Sequence, residues 1–392
     1  MPAPHVLIAG AGIGGLTAAL ALARRGIAVT LAEKRTGFAE VGAGIQISPN
    51  AGHVLEGLDL RLQLKRAAVT VSGLVVRNWS DGRQIAGMPM GIDENGTPFR
   101  TIKRADLHML LLDAARTMPN IRFVLGRGLD AVTTHDDGVT ATLASESGHR
   151  DDVRALAVIG ADGLWSRLRE TTIDTAAPSF TGYEAWRTLI PAKSATQEVT
   201  LHLGPGRHAV HYPVAGGRET NLVIMRKAAE AREGWSREGD RRGLEAHLSG
   251  ATPELRALAA SAPGWQVWSL FDRTPAAMAK GRIALLGDAA HPVLPFMAQG
   301  AAMAIEDAAV LARLLATHLQ ESGAAGVTTA LARYAQERAA RVARVQATSR
   351  ANARTYHMRW PLRIGRDLVM RRLGPDGMRR RFDWLYDWRD DA

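Results

Sequence analysis

The chain has 392 residues, 46% of them hydrophobic, carries a formal net charge of +10 and contains no cysteine. That length allows one large or two ordinary domains with substantial cores. The lack of cysteine excludes disulfides, cysteine-ligated zinc, iron–sulfur clusters and a thiol nucleophile.

The first informative stretch is HVLIAGAGIGGLTAALALARRG, residues 5–26, whose run Val6 to Ala23 holds no charge. A membrane span needs ~20 apolar residues, and a secretory signal needs basic residues before its apolar part. Here four glycines interrupt the run, and the charges, Arg24 and Arg25, follow it. A strand, a turn and a helix fit better. HVLIA has strand length and composition. The spacing Gly10-x-Gly12-x-x-Gly15 opens an Ala/Leu-rich helix that ends in basic residues and Gly26. A second β-type run, IAVTLAE, ends in Glu33. This βαβ unit with an acid about 20 residues after the glycines is the pattern of an adenine-dinucleotide site. Gly10 permits the tight turn, Gly12 admits the pyrophosphate, Gly15 lets helix and sheet approach, and Glu33 accepts from a ribose hydroxyl.

Two later segments repeat the logic. ALAVIGADGLWSRLRE, residues 155–170, is an apolar strand ending at Asp162-Gly163 before a Ser-Arg helix start. GRIALLGDAAHPVLPFMAQGAAMAIEDAAVLARLL, residues 281–315, is a strand ending at Gly287-Asp288, then a proline-rich loop and an Ala-rich helix. Acids at the carboxyl ends of strands sit where open α/β sheets bind ligands, although each alone reads more readily as a helix cap. Between 175 and 275, QEVTLHLG, RHAVHYPV and ETNLVIMR alternate and are parted by Gly-rich turns, which predicts antiparallel strands. Alternation puts His208, Val210 and Tyr212 on one face and Ala209 and His211 on the other.

The late chain is arginine-rich. Arg338, Arg341 and Arg344 stand three apart on a predicted helix, and Arg379, Arg380 and Arg381 are consecutive. With no recognised nucleic-acid motif beside them, these read as a solvated basic face that also attracts an anionic substrate and a nicotinamide cofactor. Trp384 and Trp388, spaced i and i+4, are expected to pack back onto the body.

Together, the three nucleotide-type segments resemble the family of single-component FAD-dependent aromatic hydroxylases, from Val6 to about Ala353. The resemblance implies an α/β fold: a Rossmann-like FAD-binding domain (1–174 and 276–392, the latter with C-terminal helices) and an inserted antiparallel-sheet substrate region (175–275). It implies noncovalent FAD, with Gly10, Gly12 and Gly15 at the pyrophosphate, Glu33 at the adenosine ribose, Arg104 at the sugar-phosphate region and Asp288 at the ribityl chain. Asp162 would link FAD and pyridine-nucleotide binding. The loop from Pro295 through Gly300 to Ala301 would line the isoalloxazine, and the helix starting near Gly300 would aim its positive end at the flavin pyrimidine. NADH or NADPH would bind only transiently, so a second fingerprint is not required.

In this family, reduced flavin and dioxygen form a C4a-hydroperoxide that attacks an electron-rich ring, so the phenolic proton must be removed. The resemblance points to His208 as base or relay, on account of the near-neutral pKa of histidine, with Tyr212 and Gln299 orienting the substrate. His291 reads as structural and His211 is set aside. Thr188 in WRTLIP replaces a tryptophan of the related halogenases, which argues against halogenation. Gln46 stands where some relatives have histidine, which argues against a pyridine substrate. The expected function is hydroxylation of a small phenolic acid of the salicylate or 3-hydroxybenzoate kind with dioxygen. The alternatives are a monooxygenase or epoxidase acting on a polycyclic substrate, and a flavin-holding protein without turnover. A cytoplasmic monomer or homodimer is expected, without metal, membrane or nucleic-acid partners.

Overall fold

A computed structural model describes residues 5–38, 43–93, 96–191, 196–231 and 237–390. The opening strand His5–Ala9 lies inside a six-stranded sheet whose order is 279–280, 283–285, 157–160, 5–9, 28–33, 121–125. It runs parallel to both neighbours, pairing Leu7 with Thr30 on one side and with Val158 on the other. Val6, Leu7 and Ile8 are wholly buried. Such a strand reads as a continuous apolar run because both faces of a parallel sheet are covered.

The helix Ile13–Ala23 packs against the helices Arg104–Arg116 and Gly300–Ser322. It is buried on nearly every side, so its residues carry no amphipathic stripe. Its uncharged composition reflects a helix enclosed by protein rather than by lipid. Among the described residues no helix is long and apolar enough to cross a membrane.

The second large sheet has eight strands, in the order 237–238, 266–272, 179–190, 219–227, 207–214, 198–204, 73–78, 84–89. The expected antiparallel strands 198–204, 207–214 and 219–227 are all present. The boundary placed at 175 needs correction, however. Strands Gly73–Asn78 and Gln84–Pro89 come from the first part of the chain, and 73–78 joins 198–204 in parallel, Val75 facing Thr200. An exposed 198–204 edge would invite further pairing, and this earlier hairpin covers it. One face of the sheet packs Trp79, Trp186, Ala209 and Ile224 against Leu244 and Leu255 of two short helices. The other face carries His208, Val210 and Tyr212.

The arginine stripe is not a solvated face. On the helix Val327–Tyr356, Arg338 is 1% exposed and bonds Glu306 at 2.8 Å and Asp307 at 2.7 Å. Arg341 bonds Glu306 at 2.6 Å. Arg344 stacks 3.8 Å from the Trp384 ring centre, and Arg341 lies 5.1 Å from that of Trp388. The two tryptophans pack back as expected, and they do so upon the arginines. The i, i+3 spacing is correct for one helical face, but that face meets buried carboxylates and indoles.

Arg338→Leu strands two carboxylates without their buried cation. It is expected to lower unfolding stability in urea by about 3–5 kcal/mol. Arg344→Ala, which removes an exposed stacking contact, should cost about 1 kcal/mol or less.

Candidate active site

Four neighbouring strands of the six-stranded sheet end on one edge, and each delivers a predicted site residue there. Strand 283–285 leads to Asp288, 157–160 to Asp162, 5–9 to the Gly10–Gly15 turn, and 28–33 ends in Glu33. The glycine turn is a cradle in its covalent detail. Gly10 has φ +103°, and a Cβ there would lie 2.5 Å from the Ala161 carbonyl oxygen. A Cβ on Gly15 would lie 1.9 Å from the Gly10 carbonyl oxygen. Gly12, by contrast, faces open space. The helix that follows has neither a side-chain cap nor an acid in its first turn, so its first N–H groups are available to an anion. These features fit a dinucleotide diphosphate.

Glu33 accepts from the Ala11 N–H at 2.9 Å and from the Arg35 N–H at 3.0 Å, which ties the glycine turn to the next strand. Asp162 accepts from the N–H groups of Arg167 and Leu168 at 2.9 and 3.3 Å, so its carboxylate supports the start of helix Arg167–Thr172. Burial raises its pKa. Asp288 is exposed, yet the protein atoms around it desolvate its carboxylate and raise its pKa against the pull of His291 and Arg104. Arg104, the first residue of its helix, is thereby placed within electrostatic reach of Asp288.

The loop after Asp288 is held from below. Asp307 accepts from the Gly287 N–H at 2.9 Å and from His291 Nε2 at 2.6 Å. His291 is 1% exposed, and its Nε2 is spent on Asp307. Pro295–Met297 forms a single helical turn, Ala298 takes a left-handed conformation (φ 54°), and the long helix begins at Gly300 with Ala301 beside it. That helix also starts without a cap or an acid, leaving its positive end unopposed.

Beside Pro295–Ala298 lies a cavity of about 480 Å³. Its walls are mainly apolar, including Leu74, Val76, Met88, Val199 and Leu201 from the eight-stranded sheet. Residues of helix Leu362–Arg380 close it, and His208 and Gln46 supply polar atoms.

Of the three catalytic candidates, the structure brings only His208 to this cavity. Tyr212 lies deeper on the same face, beside Gly44, and burial raises its hydroxyl pKa. The Gln299 amide is occupied on both sides: Asn50 Nδ2 donates to its Oε1 at 3.2 Å, and its Nε2 donates to Ser48 Oγ at 3.0 Å. Gln299 therefore locks the loop to the segment 48–50 and does not line the cavity. The near-neutral pKa expected for His208 also needs correction. Burial, then the neighbouring His357, push it well below its ordinary value.

Two residues escaped sequence reasoning. His208 Nδ1 lies 2.9 Å from His357 Nε2, and His357 Nδ1 lies 3.1 Å from the Tyr183 hydroxyl. Both partners are distant in sequence, and no local pattern marks either. On the opposite sheet face, His202 and His211 stack with centroids 5.4 Å apart. Burial and mutual proximity bring His202 down to about 3, and burial with Arg77 brings His211 to about 4.

Residues 4–349 match the FAD binding domain family. Among curated relatives, the 3-hydroxybenzoate 6-hydroxylase of Polaromonas naphthalenivorans (strain CJ2) is 33% identical over 98% of this chain and 96% of its own length. The 3-amino-4-hydroxybenzoate 2-monooxygenase of Streptomyces cremeus is 35% identical over 90% of this chain and 88% of its own. A solved salicylate hydroxylase substrate complex superposes with TM-score 0.83 at 24% identity, covering 99% of this chain and 96% of that one, a likeness of fold. The chain belongs to the FAD binding domain family. Within it, this protein is an FAD-dependent NAD(P)H monooxygenase of the aromatic-hydroxylase type.

Gly12→Ala should leave the stability of the FAD-free protein within about 1 kcal/mol, because the new methyl meets no protein atom and the residue sits outside the helix interior. It should weaken FAD binding at least about tenfold, read by flavin fluorescence titration, since about 1.4 kcal/mol suffices for that factor. Three histidines, His202, His211 and His357, set a pH trend. Their folded pKa values lie below the unfolded value of 6.5. Below pH 6.5 the unfolded chain therefore takes up protons that the folded chain refuses, and stability falls until about pH 4 on account of His211 and His357 and until about pH 3 on account of His202. Each histidine contributes a slope approaching about 1.4 kcal/mol per pH unit. Thermal melts between pH 7 and 4 measure this, and His211→Asn should flatten the slope.

Proposed function

We propose that this enzyme hydroxylates the ring of a small phenolic acid, using FAD, NAD(P)H and dioxygen, with His208 accepting the phenolic proton. One observation carries the reading: a buried imidazole faces an otherwise mainly apolar cavity that adjoins the 295–298 loop. FAD, when bound, supplies the reduction and oxygen activation. The chain's own residues bind the ring, exclude water and move the proton. The cavity volume lies within the range of small-molecule sites, about 300–1,000 Å³. Its apolar walls suit an aromatic ring and keep water from the reacting atoms.

Because His208 is held neutral, it has a lone pair to offer. His357 engages its Nδ1, so Nε2 is the nitrogen directed to a substrate hydroxyl. Two arginines line the cavity. Arg366 is committed to Asp367 and to the carbonyls of Thr355 and Tyr356. Exposed Arg381 is then the cation that meets the substrate carboxylate at the rim. The similarity to enzymes named for hydroxybenzoates supports this class. Six methionines in the lining, Met88, Met90, Met297, Met358, Met370 and Met378, favour a second reading, a larger polycyclic phenol, because methionine adapts to varied shapes.

In the test, hydroxybenzoates and bicyclic phenolic acids are added to the FAD-loaded enzyme with NADH or NADPH, and products are identified by mass. A substrate should accelerate nicotinamide oxidation and gain one oxygen atom. His208→Ala should retain FAD and lower hydroxylation about 100-fold at neutral pH, within the usual span for loss of a general base. No product from any phenolic acid would overturn the reading.

A further inference from the structure

Behind His208 stand two further hydrogen-bonding groups, His357 and Tyr183, and what they do rests on the reading above. We propose that His357 and Tyr183 form a proton relay that carries the phenolic proton from His208 out of the cavity, making His357 a positioning and transfer residue for the hydroxylation.

Geometry supports this. His208 stands in the cavity wall, while its Nδ1 and His357 Nε2 are 2.9 Å apart. The rings are inclined by 32° with centroids 5.1 Å apart, and the Tyr183 and His357 rings by 30° with centroids 4.9 Å apart. His357 Nδ1 and the Tyr183 hydroxyl are 3.1 Å apart. Both imidazoles are buried, and Tyr183 is only half-buried, so the row runs from the cavity wall outwards. Phe296 and Tyr356 pack around the His208 ring, and Phe296 also meets His357. These rings shield the imidazoles from water. No carboxylate is bonded to either imidazole among the described residues. The charged groups that bear on His357 are Lys227 and Arg366, from two further elements, and both oppose its protonation. The surroundings thus disfavour a resting cation on the pair, which favours passing the proton onward.

The transfer balances. The substrate O–H bond breaks as His208 Nε2 gains a proton. The Nδ1 proton of His208 moves to Nε2 of His357. The Nδ1 proton of His357 moves to the Tyr183 oxygen, whose own proton leaves to water. Each group ends neutral, both imidazoles in the opposite tautomer, and the substrate is a phenolate. Reversal on product release returns one proton to the product and restores the first tautomers.

The experiment mixes oxidised, FAD-loaded enzyme with 3-hydroxybenzoate in weak buffer containing a pH indicator, and follows proton release by stopped flow beside steady-state hydroxylation from pH 6 to 9. The wild type should release a proton rapidly and show a flat rate near neutrality. His357→Gln keeps a polar side chain but cannot shuttle a proton. It should slow release and hydroxylation about 10–100-fold at pH 7, with ligand affinity within about threefold, and its rate should climb with pH as hydroxide replaces the relay. Tyr183→Phe, which removes one oxygen atom, should show the same pH dependence with a smaller loss. Added imidazole should restore part of the rate to His357→Ala. Variants that bind FAD and ligand normally, yet keep the wild-type release rate and pH profile, would overturn the relay and leave the hydroxylase reading standing. A wild-type enzyme that neither binds nor hydroxylates 3-hydroxybenzoate or other phenolic acids would overturn both.

Discussion

Two adjacent carboxylates, Glu306 and Asp307, lie fully buried within the helix Gly300–Ser322, which follows the Pro295–Ala298 turn. A lone carboxylate there would cost several kcal/mol in lost hydration, so every partner must be in place at once. Arg338 reaches both, Arg341 and Asn50 reach Glu306, and His291 with the Gly287 N–H reaches Asp307. Those charges and hydrogen bonds hold Asp307 at a pKa of about 2. This one knot joins the helix Val327–Tyr356, the segment 48–50 and the loop that carries Asp288. The position of the loop that carries Asp288 is therefore set from behind, by buried charges.

The nucleotide half of the molecule was legible because its constraints are local. Gly10, Gly12 and Gly15 answer to clashes within a few residues, and strand, turn and helix follow one another in the chain. The places of Asp162 and Asp288 at strand carboxyl ends follow by the same logic, since such an acid needs no distant partner to be located. The face of His208 followed from alternation alone.

What could not be read depends on distant partners. The i, i+3 arginines look solvated until Glu306, Asp307 and Trp384 are placed under them. Gln299 has the right address, at the start of the long helix, but Ser48 and Asn50 claim its amide. Strands 73–78 and 84–89 belong to the substrate sheet because the 198–204 edge requires a neighbour, and nothing in their own residues says so. His357 follows a long helix as an ordinary terminal residue, and its meaning lies 149 positions away at His208.

The interleaving of the two sheets has a further consequence for how the polypeptide acquires its shape. The cofactor edge is assembled from strands at 5–9, 28–33, 157–160 and 283–285, and the cavity roof from 73–89 and 179–272. The second cannot close until the chain has been made to residue 272, nor the first until residue 285. During synthesis on a ribosome the early βαβ segment must wait, partly uncovered, for more than two hundred later residues. Assembly of this enzyme is thus a single late event rather than a succession of finished domains.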